Sequence, residues 1–161
     1  MPVSVLFLCL GNICRSPLAE GVFRRLVADL GRANDFHIDS AGTSGYHQGS
    51  PPDPGSVRIA LERGFDIRAQ RSRPFLRPDG DLWDFVVAMD RSNARWVRER
   101  YPLDDERLVL LRRFDPDDVD LDVPDPYGGG PGGFAEVTDI LVRSMPHLLG
   151  HIDRVGARSS R

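Results

Sequence analysis

The chain has 161 residues, of which 40% are hydrophobic, and these suffice for one compact core with no sign of a second. Its formal charge of −3, with no basic stripe interleaved with aromatic residues, argues against a nucleic-acid partner. The sequence contains no lysine and no apolar run long enough to cross a bilayer, which excludes a Walker-type nucleotide loop, Schiff-base chemistry and a membrane-spanning helix.

The cysteine content and the first residues bear on the cellular compartment. Only two cysteines occur, Cys9 and Cys14, and they are five residues apart, so no structural disulfide framework is expected. The N-terminal apolar run is short and lacks a cationic lead-in, and we therefore interpret it as a strand rather than a signal peptide. We expect a cytoplasmic protein without a membrane partner.

Short apolar runs alternate with helical patterns along the chain, which is typical of β-α-β units around a parallel sheet. The predicted strands lie at residues 3–8, 36–41, 82–89 and 107–111. The predicted helices lie at residues 18–30, 57–63, 90–101 and 134–152, and Asp90 is expected to cap the third. We therefore expect one domain over residues 1–153, followed by a frayed tail at 154–161.

The first apolar run is followed directly by the most informative segment of the chain, Cys9-Leu10-Gly11-Asn12-Ile13-Cys14-Arg15-Ser16. A thiol at the carboxyl end of a strand, with an arginine six positions later, predicts a loop that wraps an oxyanion. The backbone N–H groups would point inward, the Arg15 guanidinium would span two oxygens, and the Cys9 sulfur would lie beneath the central atom. A loop that stabilises anions also favours the thiolate form of Cys9.

The remaining residues of this segment suit such a loop. Gly11 allows a close backbone approach, and Asn12 tolerates a left-handed conformation. Ser16 is expected to cap the following helix, with Pro17 in its first turn. The alternative, in which Cys9 is only a small apolar residue at a strand end, leaves the glycine, the asparagine and the arginine unexplained.

The segment from Cys9 to Pro17 resembles the phosphate-binding loop of the low-molecular-weight protein tyrosine phosphatases of the bacterial type. Four further segments resemble the same family, in the same order along the chain. They are Ser40-Ala41-Gly42-Thr43 with Tyr46-His47, Arg71-Ser72-Arg73, Ala88-Met89-Asp90 with Ser92-Asn93, and Asp125-Pro126-Tyr127. The similarity covers residues 3 to about 150, which is nearly the whole chain.

This resemblance implies a fold and a reaction. The implied fold is a single-domain, three-layer α/β fold, in which helices flank a four-stranded parallel sheet of order 2-1-3-4 and the phosphate-binding loop follows strand 1. The implied reaction is hydrolysis of phosphotyrosine in proteins through a cysteinyl-phosphate intermediate. Cys9 would be the nucleophile, Arg15 the phosphate clamp and Asp125 the general acid and base. Neither a metal nor a cofactor is implied, and inorganic phosphate would be both product and competitive ligand.

The resemblance also assigns supporting roles. The phosphate would be bound by Leu10, Gly11, Asn12, Ile13, Cys14, Arg15 and Ser16, and the loop would be supported by Asn12, Ser16 and Ser40. Candidates for the flat rim that a phosphotyrosine slot needs are Leu10, Ile13, Tyr46 and Tyr127, although each could be ordinary packing. In relatives that act on phosphoarginine, a hydroxyl residue tends to stand at the position of Ile13, so isoleucine favours phosphotyrosine.

A long irregular segment at residues 114–133 carries six aspartates between Asp115 and Asp125. For Asp117, Asp118, Asp120 and Asp122 we favour a solvated acidic surface. Asp125 differs, because an apolar Val123-Pro124 pair precedes it and Pro126-Tyr127 stiffens the chain after it. A tyrosine leaving group, with a pKa of about 10, departs poorly as the bare phenolate, so a carboxylic acid at this place would speed cleavage.

Two positions depart from the family pattern. Gln70 stands where many members have a histidine that supports the loop asparagine, so the Asn12 network is expected to be held in another way. Gly128 stands where a second tyrosine often follows the first, and the run Gly128-Gly129-Gly130-Pro131-Gly132-Gly133 predicts a pliable stretch.

Other functions remain as alternatives. His147 and His151 stand four residues apart on a predicted helix, but no third metal ligand is evident at suitable spacing, and we expect no metal site. Arsenate reduction also uses a thiol in an oxyanion loop, but it normally needs cysteines beyond Cys14. A catalytically silent phosphate-binding module would need only the loop, and Asp125-Pro126-Tyr127 argues against it.

Overall fold

Four parallel strands form the central sheet in the computed structural model, which describes residues 1–117 and 119–156. They are β1 (Val3–Cys9), β2 (Phe36–Gly42), β3 (Phe85–Ala88) and β4 (Leu108–Leu110). Their order, β2-β1-β3-β4, confirms the predicted 2-1-3-4 arrangement. The strands β1 and β3 are neighbours, so the segments that leave their carboxyl ends lie side by side at one edge of the sheet.

Helices cover both faces of this sheet. They are α1 (Arg15–Asp29), α2 (Pro54–Glu62), α3 (Asp79–Leu82), α4 (Arg91–Arg98) and α5 (Pro131–Val155), with 3-10 turns at Ala33–Asp35 and Leu111–Phe114. In the described residues, no helix is both long enough and apolar enough to span a membrane.

The core has two layers because successive side chains of a strand point to opposite faces. Along β1, Val5, Phe7 and Cys9 pack into a cluster with α1, α2 and α5. Leu6 and Leu8 pack on the other face, in a smaller cluster that includes residues of α4. The helices on the two faces and the sheet between them confirm the three-layer α/β fold. The helices α1 and α4, which follow the neighbouring strands β1 and β3, pack on opposite faces of the sheet.

The third strand is shorter than the predicted range of 82–89. The Asp79 carboxylate accepts hydrogen bonds from the Leu76 N–H and from Trp83 Nε1, which closes a helical turn that runs through Leu82. Leu82 is therefore exposed at the end of α3, and β3 begins only at Phe85. The prediction at Leu82 was wrong because the apolar pattern does not register a carboxylate that closes a turn. The fourth strand is also shorter, by one residue at each end.

The start of α4 is as predicted, and its end is not. Asp90 caps the helix with its side chain and forms a reciprocal capping box with Asn93. The helix ends at Arg98, whereas the predicted range continues to residue 101.

The last helix begins three residues before the predicted start. Pro131 stands in the first turn of α5, and Gly132 and Gly133 follow within the helix. The expectation of a pliable run through Gly133 was therefore wrong for its second half. At the other end the helix continues to Val155, and residues 157–161 of the predicted tail lie outside the described residues.

Candidate active site

The loop after β1 surrounds the Cys9 sulfur with polar groups. Cys9 is the last residue of β1 and is buried. Its Sγ accepts the Asn12 N–H at 3.3 Å and lies 3.0 Å from the Ser16 hydroxyl. Asn12 has the expected left-handed backbone, with a φ of 56°. The prediction that Ser16 caps α1 was wrong, because the helix already begins at Arg15 and the serine hydroxyl turns back to the thiol instead.

All the polar atoms of the Asn12 side chain are used within the protein. Its amide nitrogen donates to the hydroxyls of Ser16, at 2.8 Å, and Ser40, at 3.0 Å, and its carbonyl oxygen accepts the Arg73 N–H at 3.0 Å. Both hydroxyl oxygens thus act as acceptors, so their own protons are free to go elsewhere. Ser16 can donate to the Cys9 sulfur, and the Ser40 hydroxyl lowers the pKa of the Glu20 carboxyl. Residues Asn12, Ser16 and Ser40, predicted to support the loop, therefore lie in one hydrogen-bonded chain.

Glu20, which had no sequence signal, and Gln70, which departs from the family pattern, lie behind the loop. Glu20 is buried on α1, and burial raises its pKa, although hydrogen bonds from Arg24 and Ser40 oppose this. Gln70 does not take the place of the family's histidine, since its amide nitrogen donates to the Pro17 carbonyl oxygen at 3.1 Å. The loop asparagine is held instead by the Arg73 backbone and the two serines.

Arg15 is buried beneath the loop and is held by a group that the sequence did not reveal. Its Nη1 donates to Asp90 Oδ2 at 2.7 Å and to the Val123 carbonyl oxygen at 3.0 Å. Its Nη2 lies 3.8 Å from Asp125 Oδ2. Burial alone would lower the pKa of Arg15, but the charges of Cys9, Asp90 and Asp125 and the hydrogen bond to Asp90 raise it, so the group remains a cation. Asp90 was predicted only as a helix cap. It caps α4 and also binds the Arg15 guanidinium.

Asp125 lies across the pocket from the loop. Its side chain is half-exposed, and its Oδ1 accepts the Tyr127 N–H at 3.1 Å. A pocket of about 290 Å³ is lined by Asp125 together with Cys9, Arg15 and the four rim candidates Leu10, Ile13, Tyr46 and Tyr127. Three distant parts of the sequence therefore meet at one concave site.

The walls of this pocket differ in exposure. Ile13 is buried, whereas Leu10, Tyr46 and Tyr127 are exposed at the mouth. His47, which belongs to a family segment but was given no role, lines the pocket and packs its ring against Tyr46 and Tyr127, with centroids 4.8 and 5.8 Å away. A Cβ at Gly11 would come within 3.0 Å of the His47 ring, so the close approach expected at this glycine is made to a side chain.

Cys14 also lines the pocket. Burial raises the pKa of Cys14 to about 12, and the negative charge of Asp53 adds to this effect. Cys14 is therefore a neutral thiol at physiological pH.

Contrary to our expectation, the other aspartates of the acidic segment are not all solvated. Asp122 accepts three hydrogen bonds from Arg91, and this interaction lowers the pKa of its carboxyl. Asp115, about which we made no prediction, is buried between Arg112 and Arg143, which hold its pKa far below the usual range. Asp117 and Asp120 are half-exposed, and Asp118 lies outside the described residues.

The two histidines of α5 do not form a pair. His151 is buried, with its Nε2 3.0 Å from the Glu106 carbonyl oxygen and its Nδ1 2.9 Å from Arg154. Across residues 1–117 and 119–156, no cluster of three or more histidine, cysteine, aspartate or glutamate side chains is arranged to hold a metal ion.

Comparison with known proteins gives one consistent family. The family model described as low molecular weight phosphotyrosine protein phosphatase matches residues 4–158. A low molecular weight protein-tyrosine-phosphatase of Streptomyces coelicolor is 39% identical over 156 residues, which cover 94% of each chain. The low molecular weight protein-tyrosine-phosphatase YfkJ of Bacillus subtilis is 37% identical over 153 residues, which cover 94% of this chain and 97% of the relative.

Solved structures agree with the sequence comparison. A crystal structure of a protein tyrosine phosphatase from Entamoeba histolytica superposes with a TM-score of 0.90 at 33% identity, and the match covers 95% of this chain and 98% of that one. The crystal structure of YfkJ superposes with a TM-score of 0.88 at 36% identity, covering 96% and 97% of the two chains.

Proposed function

We propose, from the premise that this chain belongs to the low molecular weight phosphotyrosine protein phosphatase family, that Cys9, Arg15 and Asp125 carry out its reaction. The family hydrolyses phosphotyrosine with a cysteine nucleophile, and this chain is a hydrolase of that kind. The observation that carries the residue assignment is the pocket that these three side chains share.

In the first step the phosphate of the substrate lies in the loop, with its oxygens bound by the N–H groups of residues 10–16 and by Arg15. The Cys9 thiolate attacks phosphorus, and the bond from phosphorus to the tyrosine oxygen breaks. Asp125 gives its proton to the departing oxygen, which leaves as a neutral phenol. The Asn12 N–H and the Ser16 hydroxyl support this step, because both lie within hydrogen-bond reach of the sulfur.

In the second step a water molecule attacks the phosphorus of the cysteinyl phosphate. The Asp125 carboxylate, left without its proton by the first step, accepts one from this water. The phosphorus–sulfur bond breaks, the thiolate of Cys9 is restored, and inorganic phosphate leaves. Because the product carries the same oxyanion as the substrate, inorganic phosphate competes for the loop.

The rim favours an aromatic substrate. Tyr46, His47 and Tyr127 stand at the pocket mouth, and Ile13 is a buried apolar residue of the pocket lining. A phosphotyrosine side chain is long enough to reach Cys9 between such walls, whereas phosphoserine is too short. We propose phosphotyrosine proteins as substrates, in the cytoplasm, because the two free thiols of the pocket need a reducing compartment.

Alternative functions fit the site less well. A silent phosphate-binding module would not need a carboxyl group across the pocket from the thiol, and Asp125 lines that pocket. Arsenate reduction would need a thiol relay to the surface, and the chain has no cysteine other than Cys9 and Cys14, both of which are buried.

The proposal is tested by the variant Asp125→Asn on a series of aryl phosphates whose phenols differ in acidity. We expect kcat/KM to fall by roughly 10²–10⁴ for phenyl phosphate, and far less for a strongly acidic phenol, which needs little protonic help. The ratio kcat/KM is the right measure, because it reports the step in which the phenol leaves. Asp117→Asn, in the same segment but half-exposed, serves as the control and should change little. An equal loss for all leaving groups would show that Asp125 is not the general acid.

A further inference from the structure

The placement of Asp125 depends on the backbone that carries it. The described contacts of its carboxylate are the N–H of Tyr127, two residues further along the same segment, and the Arg15 guanidinium at 3.8 Å. Neither contact ties the carboxylate firmly to the body of the protein. The position of the acid over Cys9 must therefore be set by whatever holds residues 115–130, which we call the acid loop.

The bonds that fasten the acid loop shortly before Asp125 fall on two adjacent residues. The Val123 N–H donates to the Met89 carbonyl oxygen at 2.8 Å, and the Val123 carbonyl accepts from Arg15. The Asp122 carbonyl accepts from Arg112 Nη1 at 2.8 Å. These contacts hold the loop to the end of β3, to the phosphate-binding loop and to the 3-10 turn at Leu111–Phe114.

The Asp122 side chain adds a separate attachment. Its Oδ1 accepts the Arg91 N–H at 2.9 Å and Arg91 Nε at 3.1 Å, and its Oδ2 accepts Arg91 Nη2 at 3.0 Å. Arg91 lowers the pKa of the Asp122 carboxyl, so the pair stays ionised at neutral pH. Such a bidentate contact fixes the relative orientation of the two side chains as well as the distance between them.

The first turn of α4 therefore joins both halves of the site. Asp90, its cap, holds Arg15, and Arg91, its first residue, holds Asp122. Only three peptide bonds separate Asp122 from Asp125, and prolines stand directly before and after Asp125. Because proline fixes its own φ and restricts the residue before it, few backbone torsions between Asp122 and Asp125 are free to absorb a shift at Asp122.

We propose that Arg91 and Asp122 form a clasp that positions Asp125 over the Cys9–phosphate centre. Neither residue touches the substrate; both are positioning residues for proton transfer. This inference rests on the proposed role of Asp125 as general acid. It replaces the solvated role that the sequence favoured for Asp122.

The clasp acts on catalysis far more than on folding. Both side chains are partly exposed, at 56% for Arg91 and 36% for Asp122, and exposed ion pairs contribute little to stability. Proton transfer, in contrast, requires the donor to lie within hydrogen-bond reach of the leaving oxygen, so a small displacement has a large effect.

The test uses Asp122→Ala, which removes all three hydrogen bonds, Arg91→Gln, which breaks the pair from the other side, and the double variant. We expect kcat/KM for phenyl phosphate to fall roughly tenfold in each single variant, a fraction of the effect of losing the acid itself. The loss should shrink to less than about twofold for a strongly acidic phenol, since proton donation then matters little. The double variant should be no worse than the poorer single variant, because both changes act through the Arg91–Asp122 contact. Arg91→Gln keeps the Arg91 N–H bond to Asp122 and also removes the 3.7 Å pair between Arg91 and Asp120.

A matched control is Asp153→Ala. Asp153 forms a similar bidentate, partly exposed pair with Arg32 far from the site. Its loss therefore shows how much kcat/KM falls when any such surface pair is broken. The kcat/KM of the Asp153→Ala variant should stay within about twofold of the wild-type value for every substrate, as expected for a surface pair.

Three outcomes would overturn the clasp: a loss that is equal for all leaving groups, a loss no larger than that of Asp153→Ala, or a double variant whose loss is the product of the two single losses. Asp125→Asn is measured on the same substrates. If it shows the leaving-group dependence and Asp122→Ala does not, the clasp alone fails. If Asp125→Asn shows no such dependence, the acid assignment and the clasp fail together.

Discussion

Asn12 holds a backbone conformation that residues other than glycine rarely adopt, with a φ of 56°. Its side chain compensates for that strain, because the amide donates to Ser16 and Ser40 and the carbonyl oxygen accepts the Arg73 N–H. A glycine at this position would take the same backbone conformation at no steric cost, but all three side-chain bonds would be lost. The loop thus gains a fixed shape from one residue, and that shape aims the Asn12 N–H at the Cys9 sulfur.

The two thiols of the pocket should differ sharply in reactivity. The thiolate is the reactive form of cysteine, and Cys14, whose pKa is raised to about 12, is protonated at all pH values well below that. We expect iodoacetate to modify Cys9 at pH 7 and to leave Cys14 unmodified, and reaction at Cys14 should rise only as the pH approaches 12. Peptide mass spectrometry after brief labelling measures this, with the protein in urea as a control in which both cysteines react. Comparable labelling of the two residues in the folded protein at pH 7 would contradict the assignment.

The contacts that sequence reasoning missed join residues that lie far apart along the chain. Asp90 is 75 residues from Arg15, and Arg73 is 61 residues from Asn12. Local spacing predicts a cap, a left-handed residue and an arginine that would bind phosphate, since these depend on neighbours in sequence. It carries no information on which distant carboxylate or backbone N–H completes their hydrogen bonds, because that is decided only when the sheet brings the strand ends together.

Among the elements, long periodic segments were predicted well and short ones were not. The helices α1 and α5 have apolar faces that pack into the larger core cluster, and this burial requires apolar residues at helical spacing along each of them. The four-residue helix α3 depends on one carboxylate, that of Asp79, which accepts the N–H of Leu76 and the indole N–H of Trp83. The aspartates of the acid loop looked alike in sequence, but Asp115 and Asp122 became fixed in ion pairs because arginines of three different elements face them.

Asp115 should stabilise the junction between the 3-10 turn at Leu111–Phe114 and α5. Its side chain is fully buried and pairs with Arg112 and Arg143, so Asp115→Asn should lower the free energy of unfolding by about 3 kcal/mol at pH 7. The pKa of Asp115 is lowered in the folded protein, chiefly by Arg143, so its contribution is complete above the unfolded-state pKa of about 3.9 and is lost as the pH falls below that value. Urea unfolding should show a constant difference between wild type and variant from pH 7 to about pH 5, which narrows below about pH 4.

The control for this measurement is Asp153→Asn, which breaks an exposed pair and should cost about 1 kcal/mol or less. A difference for Asp115→Asn that is no larger than this, or one that already narrows between pH 7 and pH 5, would contradict the stabilising role of the buried cluster.

At the scale of the whole molecule, the candidate active site is a consequence of strand order. The arrangement β2-β1-β3-β4 makes β1 and β3 neighbours, so the loop at Cys9, the cap at Asp90 and the acid loop all gather at one edge of the sheet. Hydrophobic periodicity predicted the strands but could not order them, because it describes each segment separately. The order came from the resemblance to a family, and the comparisons with known phosphatases agree with it. The contacts of Glu20, Gln70, Arg91 and Asp122 could be described only from the structure.

The central claim is that hydrolysis passes through a phosphate bound to Cys9, and the most direct measurement is to trap that species. The enzyme is mixed with a phosphotyrosine peptide, quenched in acid within milliseconds, digested and analysed by mass spectrometry. We predict one phosphorylated cysteine, at Cys9, which forms and decays at rates consistent with kcat, and none in Cys9→Ser, which should be inactive yet still bind vanadate. Steady turnover without any phosphocysteine, a phosphate on Cys14 instead, or appreciable hydrolysis by Cys9→Ser would contradict the account.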